Sequence, residues 1–329
     1  MAERVRDVTF DIMKGIGILF MLVGHWPEVP HWLRQFIYSF HMPLFFLVAG
    51  YFSKPMNERG LGAVIQKNAL RLLLPFIATQ ILMIVWGGVQ SFAKHDFSYV
   101  IKPSLSLLWG SCDVIDSRWG SIYIGPMWFL PALFWCRTVF ELLLSKVHDW
   151  MLLVVCAVIS VASIALHCYT YSPWCILQGL SCLIFMSIGY LVKTSLFPKW
   201  IYWVLILCWP FAIFFSNVEV SDCSYHLYLL AVLGACGGTL LVWWISNLIK
   251  KNKAISKPLV WFGVNSLVVL CFHNFELFSS ISYSVIGHLP CDIHGSLMTV
   301  FRYMLTVVLV LIVINMPYVR ELYGVNWKK

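Results

Sequence analysis

This chain has little charge. Of its 329 residues only 12% are Asp, Glu, Lys or Arg, about half the share of an ordinary soluble domain. Hydrophobic residues make up 60%, and mean hydropathy is +0.80. That balance excludes a water-soluble core as the explanation and leaves an integral membrane protein. There is no GxSxG nucleophile elbow, no phosphate-cradling GxxxxGK[ST] loop and no nucleotide-binding GxGxxG, so the chemistry those motifs serve is not expected. The eleven Cys include no CxxC pair and no zinc-ligand spacing, so no metal is expected. Most fall in apolar runs, where a thiol packs as a small hydrophobe. Cys112, Cys223 and Cys291 fall in loops on one side, which leaves a disulfide among them open. Long linkers, low-complexity tracts and internal repeats are also missing. One domain over 1–329 is expected, and an inverted-repeat transporter is disfavoured.

What the chain does have is long apolar runs. A crossing needs about 20 mostly apolar residues. That rule predicts ten, at roughly 8–26, 36–53, 69–92, 122–143, 150–170, 174–194, 199–216, 226–246, 258–279 and 296–316. The expected fold is therefore an all-α, polytopic helix bundle. The basic start followed by an apolar stretch resembles a signal peptide, but His25, Trp26 and Pro27 stand where small residues would mark a cleavage site. The first helix is expected to be retained. Sixteen Trp and fourteen Tyr suit aromatic belts at membrane surfaces. Seventeen Lys and Arg fall at one set of helix ends and five at the other, namely Arg34, Lys94, Lys102, Arg118 and Arg302. The positive-inside rule then puts both termini in the cytoplasm of a multi-pass plasma-membrane protein. The net charge of +8 is accounted for by topology, not by nucleic acid. The opposite loops lean acidic, with Glu28, Asp96, Asp113, Asp116, Glu219, Asp222 and Asp292.

Ionisable groups inside apolar spans are costly, usually paired and often functional. The first run carries Asp11, Lys14 and His25. Eleven residues separate Lys14 from His25, three turns plus about 20°, so both lie on one face about 16 Å apart along the axis. Asp11 and Lys14 are spaced as an i, i+3 pair. Gly15, Gly17 and Gly24 let another backbone or a ligand come close. Two readings stand for this stripe. It is either a structural seam, or a cation and a general base aligned on one helix, an imidazole being suited to take a hydroxyl proton near neutral pH. His41 opens the second run beside Pro43 and is expected near His25, as a supporting group or as an interfacial cap. Glu28 follows His25 on the same side. Lys67 and Arg71 share a face at the cytoplasmic entrance of the third run, where they act either as topology signals or as a phosphate clamp. Trp119, Tyr123 and Trp128 are either candidates for stacking on a ligand ring or ordinary membrane-surface aromatics. In the ninth run His273 and Glu276 are spaced to hydrogen-bond each other, but two ligands make a poor metal site.

The ordered motifs resemble the acyltransferase 3 family of multi-span membrane acyltransferases. R-x4-D-x2-K-G-I-x-I-x6-G-H, from Arg6 through Asp11, Lys14 and Gly15 to His25, is similar to the family's opening block. FHMPLFFLVAGYF at 40–52 is similar to its second, and K-x3-R-x3-P at Lys67, Arg71 and Pro75 to its cytoplasmic basic motif. PMWFLPALF, IGYLVK at 188–193 and GVNSLVVLCFH follow in the same order. The KGIGI version is most similar to the sugar O-acetylase branch. The resemblance implies transfer of an acyl group, usually acetyl, from cytoplasmic acyl-CoA to a hydroxyl of an envelope glycan or glycolipid. It implies a catalytic role for His25 with Lys14 as its basic partner, and donor binding by Arg71; from the residues themselves Lys67 is expected to join Arg71, and Asp11, His41, Glu28, Trp128 and His273 to support the site. The chain departs from the pattern at Lys14, where Arg is commoner and bidentate contact is lost, and at Ala49, where many members carry Ser. A proton-coupled transporter and a non-enzymatic lipid-binding scaffold are the alternatives that the residues alone leave open.

Overall fold

The computed structural model describes residues 7–324 except 27, 57–59, 119, 195–197, 280 and 282–290, and omits the side chains of 149, 199 and 291–296. The described residues are mostly helical. Two small antiparallel hairpins complete them: Ile115–Ser117 with Gly120–Ile122, and Asn217–Glu219 with Ser224–His226. Their registers pair Asp116 with Ser121 and Val218 with Tyr225.

Five helices are long and apolar enough to cross a membrane: Gly60–Lys94, Gly125–Leu144, Trp150–His167, Tyr228–Ile249 and Leu297–Asn315. The number rises to seven if two interrupted pairs, Pro173–Ser181 with Leu183–Lys193 and Lys253–Val264 with Ser266–Ser279, each count as one crossing. Trp200–Phe215 is apolar but shorter. The ten runs in the sequence thus yield fewer uninterrupted crossings, and the breaks have local causes. The first helix, Val8–Gly24, has 17 residues and ends at a C-cap on His25. The second run divides into His31–Tyr38 and His41–Tyr51. Pro43 has no N–H for the Ser39 carbonyl, and its ring crowds that carbonyl. In the ninth run Asn265 ends a helix with its own amide, whose Nδ2 donates to the Trp261 carbonyl at 2.8 Å. In the sixth, the Ser181 hydroxyl donates to the Gln178 carbonyl at 2.8 Å beside the break at Cys182, an alternative to the helical ladder. The polar stretch near 93–121 is not plain loop; it holds the Ser98–Trp109 helix and the first hairpin.

The described chain forms two compact units. Unit 1 comprises residues 1–53, 184–219 and 224–266; unit 2 comprises 54–183, 220–223 and 267–329. In unit 1, Asp7 caps the first helix by accepting from the Thr9 N–H at 2.9 Å, satisfying one of its free donors. The helix then buries Phe10 and Met13 with Phe40, Leu44, Val48, Trp209 and Val242. Trp209 Nε1 donates to the Ser39 hydroxyl at 2.8 Å, so the indole's polar edge is satisfied inside this aromatic core. The first helix also packs on Lys253–Val264. A Cβ on Gly15 would overlap the Leu259 carbonyl, and one on Gly263 the Asp11 carbonyl. Small residues at both crossing points let the backbones touch, which is how helices associate where no water is expelled.

In unit 2, Leu74–Lys94 packs against Ser98–Trp109, and Phe129–Leu144 and Asp149–His167 both pack on Ile176–Ser181. Residues Ala69–Leu73 form a π-helical turn within the long Gly60–Lys94 helix. Such turns insert one residue and re-aim the side chains around them.

The backbone crossing at Gly263 gives a direct test. Gly263→Ala is expected to lower the thermal midpoint of the detergent-solubilised protein, at a cost of about 1–3 kcal/mol or more for overpacking. Gly62→Ala meets nothing within 4 Å and should leave the midpoint within error.

Candidate active site

His25 sits at the C-cap of the first helix, half-buried, with its N–H returned to the carbonyls of Met21 and Leu22. Its electrostatic neighbours are Arg34 and His41. Arg34 comes from the short His31–Tyr38 helix, and its Nη2 donates to the Trp26 carbonyl at 3.3 Å. His41 is buried at the start of the next helix, where its Nδ1 lies 2.9 Å from the Ile37 carbonyl. A carbonyl only accepts, so Nδ1 carries a proton, and in its neutral form the ring presents a lone pair at Nε2. The Tyr38 ring lies 5.0 Å from the His41 ring, and its hydroxyl reaches the Gly24 carbonyl at 3.4 Å. Gly24 has to be small here, because a Cβ would sit 2.8 Å from the Tyr38 ring. The short helix created by the break before Pro43 thus brings Arg34 and Tyr38 to the two imidazoles. The sequence had grouped His25 with His41, but it had treated Arg34 only as a topology marker and had not singled out Tyr38.

Lys14 is elsewhere. Its Nζ pairs with Asp11 at 2.9 Å, and the carboxylate is almost fully buried. Asp11 also lies at the crossing where Gly263 meets its carbonyl. The expected i, i+3 pair is therefore present, and the cation close to His25 is Arg34 rather than Lys14. Glu28 is exposed on the turn after His25. Arg6, which opens the motif, lies outside the described residues.

Unit 2 holds a second ionised cluster. Lys67 and Arg71 are exposed on the long helix, Arg71 within the π-helical turn. Arg71 interacts electrostatically with Arg137 and Glu141. Those two are buried and form an i, i+4 pair, with Nε of Arg137 3.0 Å from Oε1 of Glu141. Asn68, one turn before Arg71, donates to the Thr138 hydroxyl at 3.3 Å and ties the two helices together. Two arginines face one carboxylate, so the cluster keeps net positive charge. The spacing R-x3-E at 137–141 was visible in the sequence, but Arg137 had been counted only as a cytoplasmic cation.

The remaining residues serve other contacts. Trp128 is buried in the 3-10 turn Gly125–Trp128 with its ring edge-on to Phe129, so it offers no open face for a sugar ring. Tyr123 is exposed and its ring meets Phe278; Trp119 lies outside the described residues. His273 is buried with its ring 6.2 Å from that of Tyr303. The expected His273–Glu276 bond gives way to an ion pair, with Arg302 Nε 3.2 Å from the Glu276 carboxylate. The carboxylate thus pairs with a cation from another helix in a charge-assisted contact. Among the described residues no group of three or more His, Cys, Asp or Glu is arranged to hold a metal ion.

Removing one member of the Arg137–Glu141 pair strands a buried charge. Arg137→Met is expected to destabilise the protein by about 3–5 kcal/mol, and the double substitution with Glu141→Leu to recover most of the loss. Thermal unfolding of both variants in detergent checks the pair.

A family profile described as an acyltransferase domain matches residues 7–316. The nodulation protein NolL of Mesorhizobium japonicum is 29% identical over 250 residues, covering 68% of this chain and 60% of that protein. NolL of Sinorhizobium fredii is 29% identical over 190 residues, covering 52% of this chain and 48% of its own. The chain thus spans less than two thirds of either relative. No solved structure matches. A profile that runs through the first helix, the basic π-helical turn and the last long helix, on a chain this apolar, identifies a membrane protein, and the chain belongs to the acyltransferase 3 family.

Proposed function

We propose that the chain is a plasma-membrane O-acyltransferase that moves an acyl group, acetyl in this reading, from cytoplasmic acyl-CoA to a hydroxyl of a cell-envelope or surface glycan or glycolipid. Family membership supports the reaction class. The observation that carries the His-dependent reading is the meeting of His25, His41 and Arg34 at the C-terminal end of the first helix. In the proposed step His25 takes the acceptor hydroxyl's proton, and the oxygen attacks the thioester carbonyl. CoA then leaves as the thiolate and recovers that proton from the imidazolium. Transfer through an acyl-His25 intermediate uses the same groups. Arg34 supplies positive charge where the tetrahedral oxyanion would form. Lys67 and Arg71, with Arg137 behind Arg71, are proposed to take the phosphates of the donor. Lys14, about 16 Å down the helix from His25, and Asp11, about 21 Å down, are proposed to steer the donor rather than touch the reacting atoms. The asymmetry of Lys and Arg supports ten crossings, interrupted ones included, with both termini in the cytoplasm.

Acetyl-CoA consumption by the purified protein with a glycan acceptor tests the proposal. His25→Ala is expected to lower kcat by about 10²–10⁴-fold, the span of general acid–base catalysis; a normal rate would end the His-dependent reading. Arg71→Ala is expected to raise KM for acetyl-CoA about tenfold or more, the worth of one charge-assisted contact, with a smaller change in kcat. Solute uptake driven by a proton gradient without CoA turnover would establish the transporter instead.

A further inference from the structure

Three stretches distant in sequence converge within unit 2, all assigned to the outer side by the topology proposed above: 110–113, 172–178 and 220–223. The Cys112 thiol donates to the Ser221 carbonyl at 2.9 Å, and the Cys175 thiol to the Gly110 carbonyl at 3.2 Å. Cys175 is thus held against the segment that carries Cys112, Cys112 is held against the third stretch, and the two thiols are electrostatic neighbours. A shared polar frame fixes the same segments. Gln178 Nε2 donates to the Asp113 carboxylate at 3.2 Å and to the Ser221 carbonyl at 3.3 Å, and His167 Nε2 lies 2.9 Å from Asp113. Trp174 and Cys175 have φ of 53° and 50°, a left-handed backbone that non-glycine residues adopt only where surroundings impose it. Cys223 is nearby but turns to the Ser181 side chain. The sequence had placed Cys112 and Cys223 together in outer loops. Cys175, at the mouth of an apolar run, was the one it did not see.

We propose that Cys112 and Cys175 form a disulfide that staples the outer loops of unit 2, made by exchange with a disulfide donor. Cys112 is only partly buried while Cys175 is fully enclosed, which sets the order of events. Cys112 thiolate attacks the donor disulfide and releases one donor thiol. Cys175 thiolate then attacks the Cys112 sulfur of the mixed disulfide and releases the second. The donor gains two electrons and both cysteine protons, and one S–S bond replaces another. The Cys175 contact, followed by burial, raises the Cys112 thiol well above its ordinary pKa, so exchange near neutral pH is slow and runs faster in alkaline buffer. An oxidising outer compartment is where such a bond persists. That clause rests on the proposed topology, whereas the pairing itself does not.

The test uses the purified full-length protein, fully reduced and then incubated with oxidised glutathione. Free thiols are alkylated in denaturant and peptides mapped without reduction. The expected result is loss of two of the eleven thiols and a peptide linking 112 to 175. Cys112→Ser and Cys175→Ser should each abolish the link, and Cys223→Ser should keep it. Retention of all eleven thiols, glutathione remaining on Cys112, or a link to Cys223 would overturn the proposal. The wild-type map decides even if a serine variant fails to fold. The His25→Ala protein should form the same bond, so failure of the acyltransferase reading and failure of this one are separately visible.

Discussion

An ionised side chain inside an apolar helix persists only where a counter-charge and hydrogen bonds replace the water it has lost. Among the described residues that requirement is met by a carboxylate and a cation at three places: Asp11 with Lys14, Glu141 with Arg137, and Glu276 with Arg302. Two of the pairs lie one turn apart on a single helix. The third joins two helices and fixes their register at that depth. With these charges satisfied locally, the rest of each unit is free to pack as apolar helices through small residues and aromatic rings.

The regions proposed for chemistry are those where helices stop being regular. His25 is placed by a helix end, His41 by a restart after a break, and Arg71 by a π-helical turn. Each irregularity turns a side chain away from the direction an unbroken helix would give it. Arg34 and Tyr38 both come from the short His31–Tyr38 helix that ends just before that restart. The break before Pro43 makes a short helix that holds them beside the imidazoles. Regular helices supply the scaffold, and their interruptions supply the site.

The loops of unit 2 around 110–113, 172–178 and 220–223 follow a different logic. Their order comes from polar contacts between segments with little apolar surface of their own: Asp113 with His167 and Gln178, and backbone carbonyls with thiols. A covalent link there would replace weak directional contacts with one bond that does not depend on burial.

Membrane residence, helical class, family and the Asp11–Lys14 pair were legible in the chain itself, because they depend on composition and on neighbours within one turn. The partners of long-range contacts were not legible in the same way. Glu276 had an adjacent histidine in sequence, yet it pairs with Arg302, 26 residues away. Arg137 and Arg34 read as topology cations until helix packing set them beside Arg71 and His25. Crossings also looked uninterrupted, because hydropathy averages over a window while a break depends on one proline, asparagine or serine. The sequence alone determined what must leave water and which charges a single helix can pair. Tertiary packing decided which groups from separate segments meet, since that depends on where each helix stops and what fills the space beside it.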